Sequence, residues 1–287
     1  MRRTLIVLLL ACQALARAAD APSTSLSVRS DRLFLAVEVN GRKTEALLDS
    51  AAESSLIDPT FASDLKLRVT GQATARGSGG EQQARFAEVA VRAASVKLDK
   101  LTVAVVDLSS AARLVGAPVS FILGRELFDA ARLRIDIDGG TLQVLAPHTP
   151  LHGIGLPLTE HAGIESMPAT VEGIAAAADF DLGNGTDILI GKAFASSHGL
   201  LDAAHLVGKR RGGGIGGEID RQVVRLHTLE VGGMRFTEVE AQVDPMSNAG
   251  ELNLGVRILR RFIIVTDYSQ HRLWLEPRPP SAGSPAS

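Results

Sequence analysis

The chain has 287 residues, of which 45% are hydrophobic, 22% charged and only 4% aromatic. That composition excludes a disordered chain and the length exceeds a disulfide-stapled miniprotein, so one large all-β domain or two lobes of about 130 residues each fit it. A formal charge of -2 supplies no basic field for nucleic acid. With so few aromatics, Val, Leu, Ile and Ala must fill the core.

Taken from the N-terminus, Arg2 and Arg3 precede an apolar run from Leu5 to Cys12, and small residues follow at Ala14, Ala16 and Ala18. This pattern predicts a signal peptide over residues 1–19 and a periplasmic or secreted mature chain. Leu9-Leu10-Ala11-Cys12 loosely resembles a lipoprotein box, which makes a lipid anchor at Cys12 the alternative. Cys12 is the only cysteine, so the mature chain is expected to carry no thiol, disulfide or thiolate metal site. No segment has the roughly 20 apolar residues of an integral membrane span.

Leu33 to Val39 reads as a strand entering an Asn40-Gly41 turn, with Lys43 to Asp49 returning. Val89 to Asp107 and Val223 to Asp244 read as alternating strands around a turn, and Leu133–Leu145 and Ile263–Leu275 as closing β segments. Short helices are predicted at Pro59–Leu67, Arg125–Ala131, Lys192–Leu200 and Val256–Arg261. The class is therefore all-β with short helices.

The chain also repeats itself. Phe61-Ala62-Ser63 recurs as Phe194-Ala195-Ser196, Gly77 to Glu81 as Gly214 to Glu218, Ile122-Leu123-Gly124 as Asn253-Leu254-Gly255, and Asp136 as Asp267. The order is kept at a spacing of 131 to 137 residues, which makes two copies of one unit. The expected organisation is a lobe over 24–146, a Pro/Gly-rich linker over 147–161, a second lobe over 162–276 and a disordered tail over 277–287. Each copy places an aspartate after an apolar strand on a small-residue turn: Asp49 in Leu47-Leu48-Asp49-Ser50-Ala51-Ala52, and Asp181 in Phe180-Asp181-Leu182-Gly183-Asn184. A carboxylate there is costly. If the copies pack about a pseudo-two-fold axis the two carboxylates meet and share a proton, so that one serves as base on water while the other polarises a carbonyl.

With these motifs the chain resembles the retropepsin/pepsin-like aspartic proteases, in particular bacterial single-chain proteins with two retropepsin-like units. The resemblance runs through Asp49-Ser50, Phe121-Ile122-Leu123-Gly124, Asp181 with Gly183, Leu252-Asn253-Leu254-Gly255 and the glycine-rich stretch Gly212 to Gly217. It implies the acid-protease fold, two related β-barrel-like lobes with a cleft between them. It also implies Asp49 and Asp181 as catalytic residues, and Ser50, Ala51, Gly183 and Asn184 as support for the active loops. Gly79 and Gly80 in one flap and Ile215, Gly216 and Gly217 in the other are then substrate-binding residues. The implied activity is aspartic-type endopeptidase on an extended polypeptide, in a monomer, with no metal and no organic cofactor. Three positions depart from the family pattern: Ala51 stands for its Gly, Leu182 for its Thr/Ser and Asn184 for its Ala/Ser. These departures make a peptide-binding relative with impaired turnover the alternative function, and a β-rich scaffold without an active cleft a third.

Other motifs take plainer readings. Gly212 to Gly217 fits the spacing of a dinucleotide loop but lacks the preceding strand and following helix, so it reads as a hairpin tip. His148, His152 and His161 read as linker residues rather than metal ligands. Asp136 and Asp267 read as structural, and Lys209 to Arg211 as a solvated flap base.

Overall fold

The structure, a computed structural model, describes residues 20–278. The expected leader 1–19 with Cys12, and residues 279–287 of the expected tail, lie outside the described residues.

Each lobe is built on one plan. In the first, strand Arg32–Val39 turns at Asn40 and Gly41, both at positive φ (49° and 80°), into the antiparallel strand Arg42–Leu48. Left-handed values at both central residues match the strand twist, which is why Asn-Gly serves there. Phe121–Leu123 lies parallel to the end of Arg42–Leu48 and antiparallel to Leu56–Ile57. The long strand Gly80–Ala93 pairs with Thr70–Gly77 on one side and Val96–Val105 on the other. The second lobe repeats the plan with Ile164–Val171, Ile174–Phe180, Leu252–Leu254, Ile188–Gly191, Gly217–Val231, Leu206–Gly214 and Met234–Asp244.

The lobes share one antiparallel sheet. Its order is Thr24–Arg29, Thr141–Val144, Leu133–Asp136, Phe262–Asp267, Arg272–Pro277 and Ile154–Pro157. At the centre Ile135 faces Ile264 and Leu133 faces Thr266. The repeat makes Leu133 equivalent to Ile264 and Ile135 to Thr266, so exchanging the copies maps this register onto itself. A pseudo-two-fold axis therefore passes through the sheet. The molecule is all-β and two-lobed, as expected from the sequence.

Alternating burial along Arg32–Val39 and Ile164–Val171 feeds one core that crosses the axis, with Leu48, Leu123, Phe128, Phe180, Leu254 and Phe262 fully buried. A second, smaller apolar cluster has all its buried members in the first lobe, around Phe34, Leu47, Val106 and Ile122.

Some boundaries differ from expectation. The helices are shorter, at Pro59–Asp64, Glu126–Ala130, Lys192–Ser197 and Val256–Leu259. The first stops where Lys66 takes a positive φ of 53°. A further helix, Ser109–Val115, was not anticipated. The span 147–161 contains two strands, Ile154–Pro157 at the edge of the shared sheet and Thr159–His161 beside Ile164–Val171. Pro277, expected in the tail, ends a strand opposite Phe262.

Candidate active site

Both aspartates sit where an apolar strand leaves its sheet. The Asp49 N–H donates to Leu123 O (3.0 Å) and the Asp181 N–H to Leu254 O (3.2 Å), so each turn is pinned by the Leu-Gly segment behind it. That segment fits closely because its glycine has no side chain: a Cβ on Gly124 would lie 2.8 Å from Ala52 O, and one on Gly255 2.1 Å from Thr186 O.

The two turns meet across the axis. Gly183 of the second loop lies against the carboxylate of the first, since a Cβ there would stand 2.3 Å from Asp49 Oδ2. The Gly183 N–H donates to Asp181 Oδ1 (2.8 Å), so one glycine touches both acids. Each aspartate keeps a partly exposed edge. Burial raises both carboxyls above the ordinary range, and for Asp49 the neighbouring Asp181 charge raises it further.

Their hydrogen-bond shells are unequal. Asp181 Oδ1 accepts from Gly183 N (2.8 Å) and Asn184 N (3.0 Å), and its Oδ2 from Asn253 Nδ2 (2.7 Å). Asn253 is itself oriented by Asn184 Nδ2 (2.7 Å), and Asn184 by Thr186 N (2.9 Å) and Thr186 Oγ1 (2.7 Å). Among the described residues Asp49 accepts only main-chain donors, from Ala51 (3.0 Å) and Ala52. Donors aimed at a carboxylate favour its charged form. The proton of the pair therefore resides mainly on Asp49 and the charge on Asp181. Arg32 Nε donates to Gly183 O (3.1 Å) and its charge favours ionisation of both acids, while its own burial lowers its pKa.

The loops are locked from one side. Ser50, fully buried, donates through Oγ to Phe180 O (2.7 Å) and accepts from Leu182 N (2.9 Å). Leu182 cannot return these bonds and is instead fully buried in the main core. Ala51 carries a methyl at the position equivalent to Gly183, yet its N–H still reaches Asp49.

The expected flaps are two hairpins that turn at Ser78-Gly79 and Ile215-Gly216, with Gly77 opposite Gly80 and Gly214 opposite Gly217. Their tips cross in contact. The Gly79 N–H donates to Ile215 O (3.0 Å), Ser78 Oγ to Gly213 O (3.2 Å), and Arg221 Nη2 to Ser78 O (2.5 Å). A Cβ on Gly79 would stand 2.1 Å from Gly217 O, and one on Gly216 2.3 Å from the Gly80 carbonyl carbon, so this approach requires glycine. Ile215 packs on the second apolar cluster of the opposite lobe. Lys209–Arg211 is exposed, with Arg210 paired to Glu240 and Arg211 to Glu218 and Asp220.

Sequence reasoning missed three supports. Arg32 precedes the first recognised strand and reaches the loop across 151 residues. Asn253 was visible as the one polar residue in a repeated apolar segment. Glu126 holds the first loop by accepting from Ser55 N (2.9 Å) and Ser55 Oγ (2.8 Å), an interaction that only the fold brings together. Of the acids read as structural, Asp267 binds Arg132 (2.9 and 2.6 Å) and Ser269 (2.6 Å), and Asp136 pairs with Arg278.

Residues 35–127, which span the Asp49 loop and the first flap, match the family model described as aspartyl protease. Among solved structures the chain is similar to a retropepsin-like aspartic protease from Rickettsia conorii. The identity is 23%, over 42% of this chain and 88% of that one, with a TM-score of 0.35. No curated protein matches the chain. The family match agrees with the resemblance read from the sequence and supports a general aspartic protease function.

Proposed function

We propose that this chain is an aspartic endopeptidase in which Asp49 and Asp181 form the catalytic dyad. The carrying observation is the meeting of both carboxylates at Gly183 beneath two crossed flaps, with the stabilising donors concentrated on Asp181. An extended polypeptide would lie between the lobes, its backbone paired with the flap edges.

In this reading Asp181 is the base and Asp49 the acid. Water adds to the peptide carbonyl carbon, its proton passes to Asp181, and the Asp49 proton passes to the carbonyl oxygen. The tetrahedral diol then collapses. Asp49 recovers a proton from one hydroxyl, Asp181 gives its proton to the amide nitrogen, and the C–N bond breaks to leave an acid and an amine. Both carboxyls end as they began.

The one-sided Ser50 lock and the Ala51 methyl favour a second reading, a peptide binder with impaired turnover. Incubating the purified chain with an unfolded protein between acid and neutral pH separates the two. Asp49→Asn and Asp181→Asn should each lower cleavage by at least about a thousandfold, as expected when one member of a unit is removed. Cleavage that survives either change eliminates the dyad, and binding without cleavage in the parent chain selects the second reading. We further propose lobes at 24–146 and 162–276 joined by 147–161, a monomer, and export directed by residues 1–19; gel filtration and N-terminal sequencing of the exported protein test the last two.

A further inference from the structure

The two walls of the cleft differ in chemistry. In the first lobe one row of residues crosses the sheet from strand to strand: Phe34 faces Leu47, Leu47 faces Ile122, Ile122 faces Leu56, and Leu56 faces Ala104. This row belongs to the second apolar cluster, which Ala52 of the Asp49 loop and Ile215 of the opposite flap close from either side. It is the wall between loop and flap.

The same ladders in the second lobe give Ser166 facing Asp179, Asp179 facing Asn253, Asn253 facing Leu189, and Leu189 facing Gln242. Four apolar positions of the first row are thus polar in the second: Phe34 becomes Ser166, Leu47 becomes Asp179, Ile122 becomes Asn253 and Ala104 becomes Gln242. The flap repeat places Arg221 where the first lobe has Ala84. These residues are enclosed: Arg221 is 2% exposed and Gln242 5%. Among the described residues Gln242 Oε1 and Arg221 Nε have no hydrogen-bond partner, and both side chains press on the flap strand, where a Cβ on Gly212 would lie 2.8 Å from Gln242 Oε1 and from Arg221 Nη1. Buried polar atoms left unpaired are costly, and a bound group that pairs with them removes that cost.

The charge of the wall decides which ligand. Arg221 is already engaged, with Asp244 (3.7 Å) and with Ser78 O (2.5 Å). Asp179 accepts the Ser166 hydroxyl (2.6 Å) and forms no salt bridge among the described residues; the one cation that acts on it is His161, whose charge only partly offsets the rise that burial imposes on its carboxyl. Two carboxylates therefore stand against one guanidinium, and the unpaired Gln242 oxygen adds an acceptor.

We propose that the cleft takes a substrate of mixed character, with an apolar side chain against the first lobe and a lysine or arginine side chain against the Asp179–Gln242 wall of the second. An extended backbone crossing the axis between Asp49 and Asp181 presents the side chains on either side of the central bond to equivalent walls. Unequal walls then demand unequal side chains. The proposal rests on the dyad marking the cleft, as argued above, but not on turnover.

The test uses the full mature chain and short peptides differing only at the two central residues, with the central bond reduced so that it cannot be cleaved. The pairs are Leu–Arg, Arg–Leu, Leu–Leu and Leu–Glu, and binding is read by calorimetry. One of the Arg-containing orders should bind at least about tenfold more tightly than Leu–Leu, and Leu–Glu should bind most weakly. Asp179→Leu, which copies Leu47, should erase the Arg preference. Asp179→Asn keeps size and hydrogen bonding, and should erase it too if the leucine variant fails to fold. Equal binding of all four pairs, preference for Leu–Glu, or an Arg preference that survives loss of the Asp179 charge overturns the proposal. Failure to cleave the same sequences with a normal bond counts against the peptidase reading alone.

Discussion

The Asp49 and Asp181 loops occupy equivalent places in one repeated plan, yet they hold their carboxylates differently. The first is made of small residues and gives Asp49 main-chain donors only. The second carries Asn184 and is backed by Asn253, and together they place a chain of amides on Asp181. In a pair of identical loops neither acid is preferred for the proton. Here the difference in donors assigns it, so duplication within one chain has let the halves specialise. The same division extends outward to the cleft walls, apolar in the first lobe and polar in the second.

Exchanging residues between the loops tests how deep the inequality goes. Gly183→Ala, which copies Ala51, should have the largest effect. Its methyl would stand 2.3 Å from Asp49 Oδ2 and must displace the carboxylate. Displacements of about 1 Å cost about a hundredfold in rate, so kcat should fall at least that far. The reverse change, Ala51→Gly, removes a methyl and should alter kcat by less than about tenfold. Equal effects from the two would mean that the loops are equivalent after all.

Ser50→Ala comes next. It removes the one hydroxyl that ties the loops and leaves Phe180 O and Leu182 N without a partner. Denaturant unfolding should register a loss of about 1–3 kcal/mol. Leu182→Thr should fail to add a matching lock, because it replaces a fully buried core side chain with a hydroxyl. A stability gain from Leu182→Thr would refute the one-sided arrangement.

Asn253→Ile, which copies Ile122, targets the donor chain. Loss of a hydrogen bond to the charged form raises the Asp181 pKa further. Since Asp181 must be ionised to act as base, the acid limb of the pH–rate profile should move to higher pH by about one unit. The alkaline limb, set by loss of the Asp49 proton, should move less. A profile that only falls in height would give Asn253 a packing role instead.

Much of this inequality could be read before the fold was known, for a physical reason. The repeat aligns Ile122 with Asn253 and Ala52 with Asn184, so the polar substitutions of the second copy are visible as letters. Strands and flap tips were legible because alternation, Asn40-Gly41 and the glycine runs are local signals. What escaped depended on distance or lacked a local signal. Arg32 acts on Gly183 O in the other lobe, and Glu126 on Ser55 through a contact that only folding creates. Helix Ser109–Val115 starts at Leu108, which offers no side-chain cap; its start is marked only by Asp107 one residue earlier, which accepts from Ser109 N (2.8 Å), and no counterpart in the second copy points to it. The polar wall needed the ladder registers, since Ala104 and Gln242 are matched by strand pairing rather than by any shared motif.

The smallest expected effect concerns stability and has the opposite sign to the effect on activity. The folded state raises the Asp49 carboxyl above its ordinary value through burial and the Asp181 charge. Between the ordinary carboxylate range and that raised value, the native state binds more protons at Asp49 than the unfolded chain does. Stability therefore falls as pH rises through the window. Below the ordinary range both states are protonated and the penalty vanishes. Asp49→Asn removes the titration while keeping the shape, so the variant should melt a few degrees higher than the parent at neutral pH, and the gap should close near pH 3. Asp181→Asn should gain less, because the asparagine amide no longer suits the donors from Gly183, Asn184 and Asn253. Thermal unfolding of the two variants across this pH range measures the difference between the loops without any substrate. A larger gain at Asp181 than at Asp49 would place the proton on the wrong acid and reverse the assignment of base and acid.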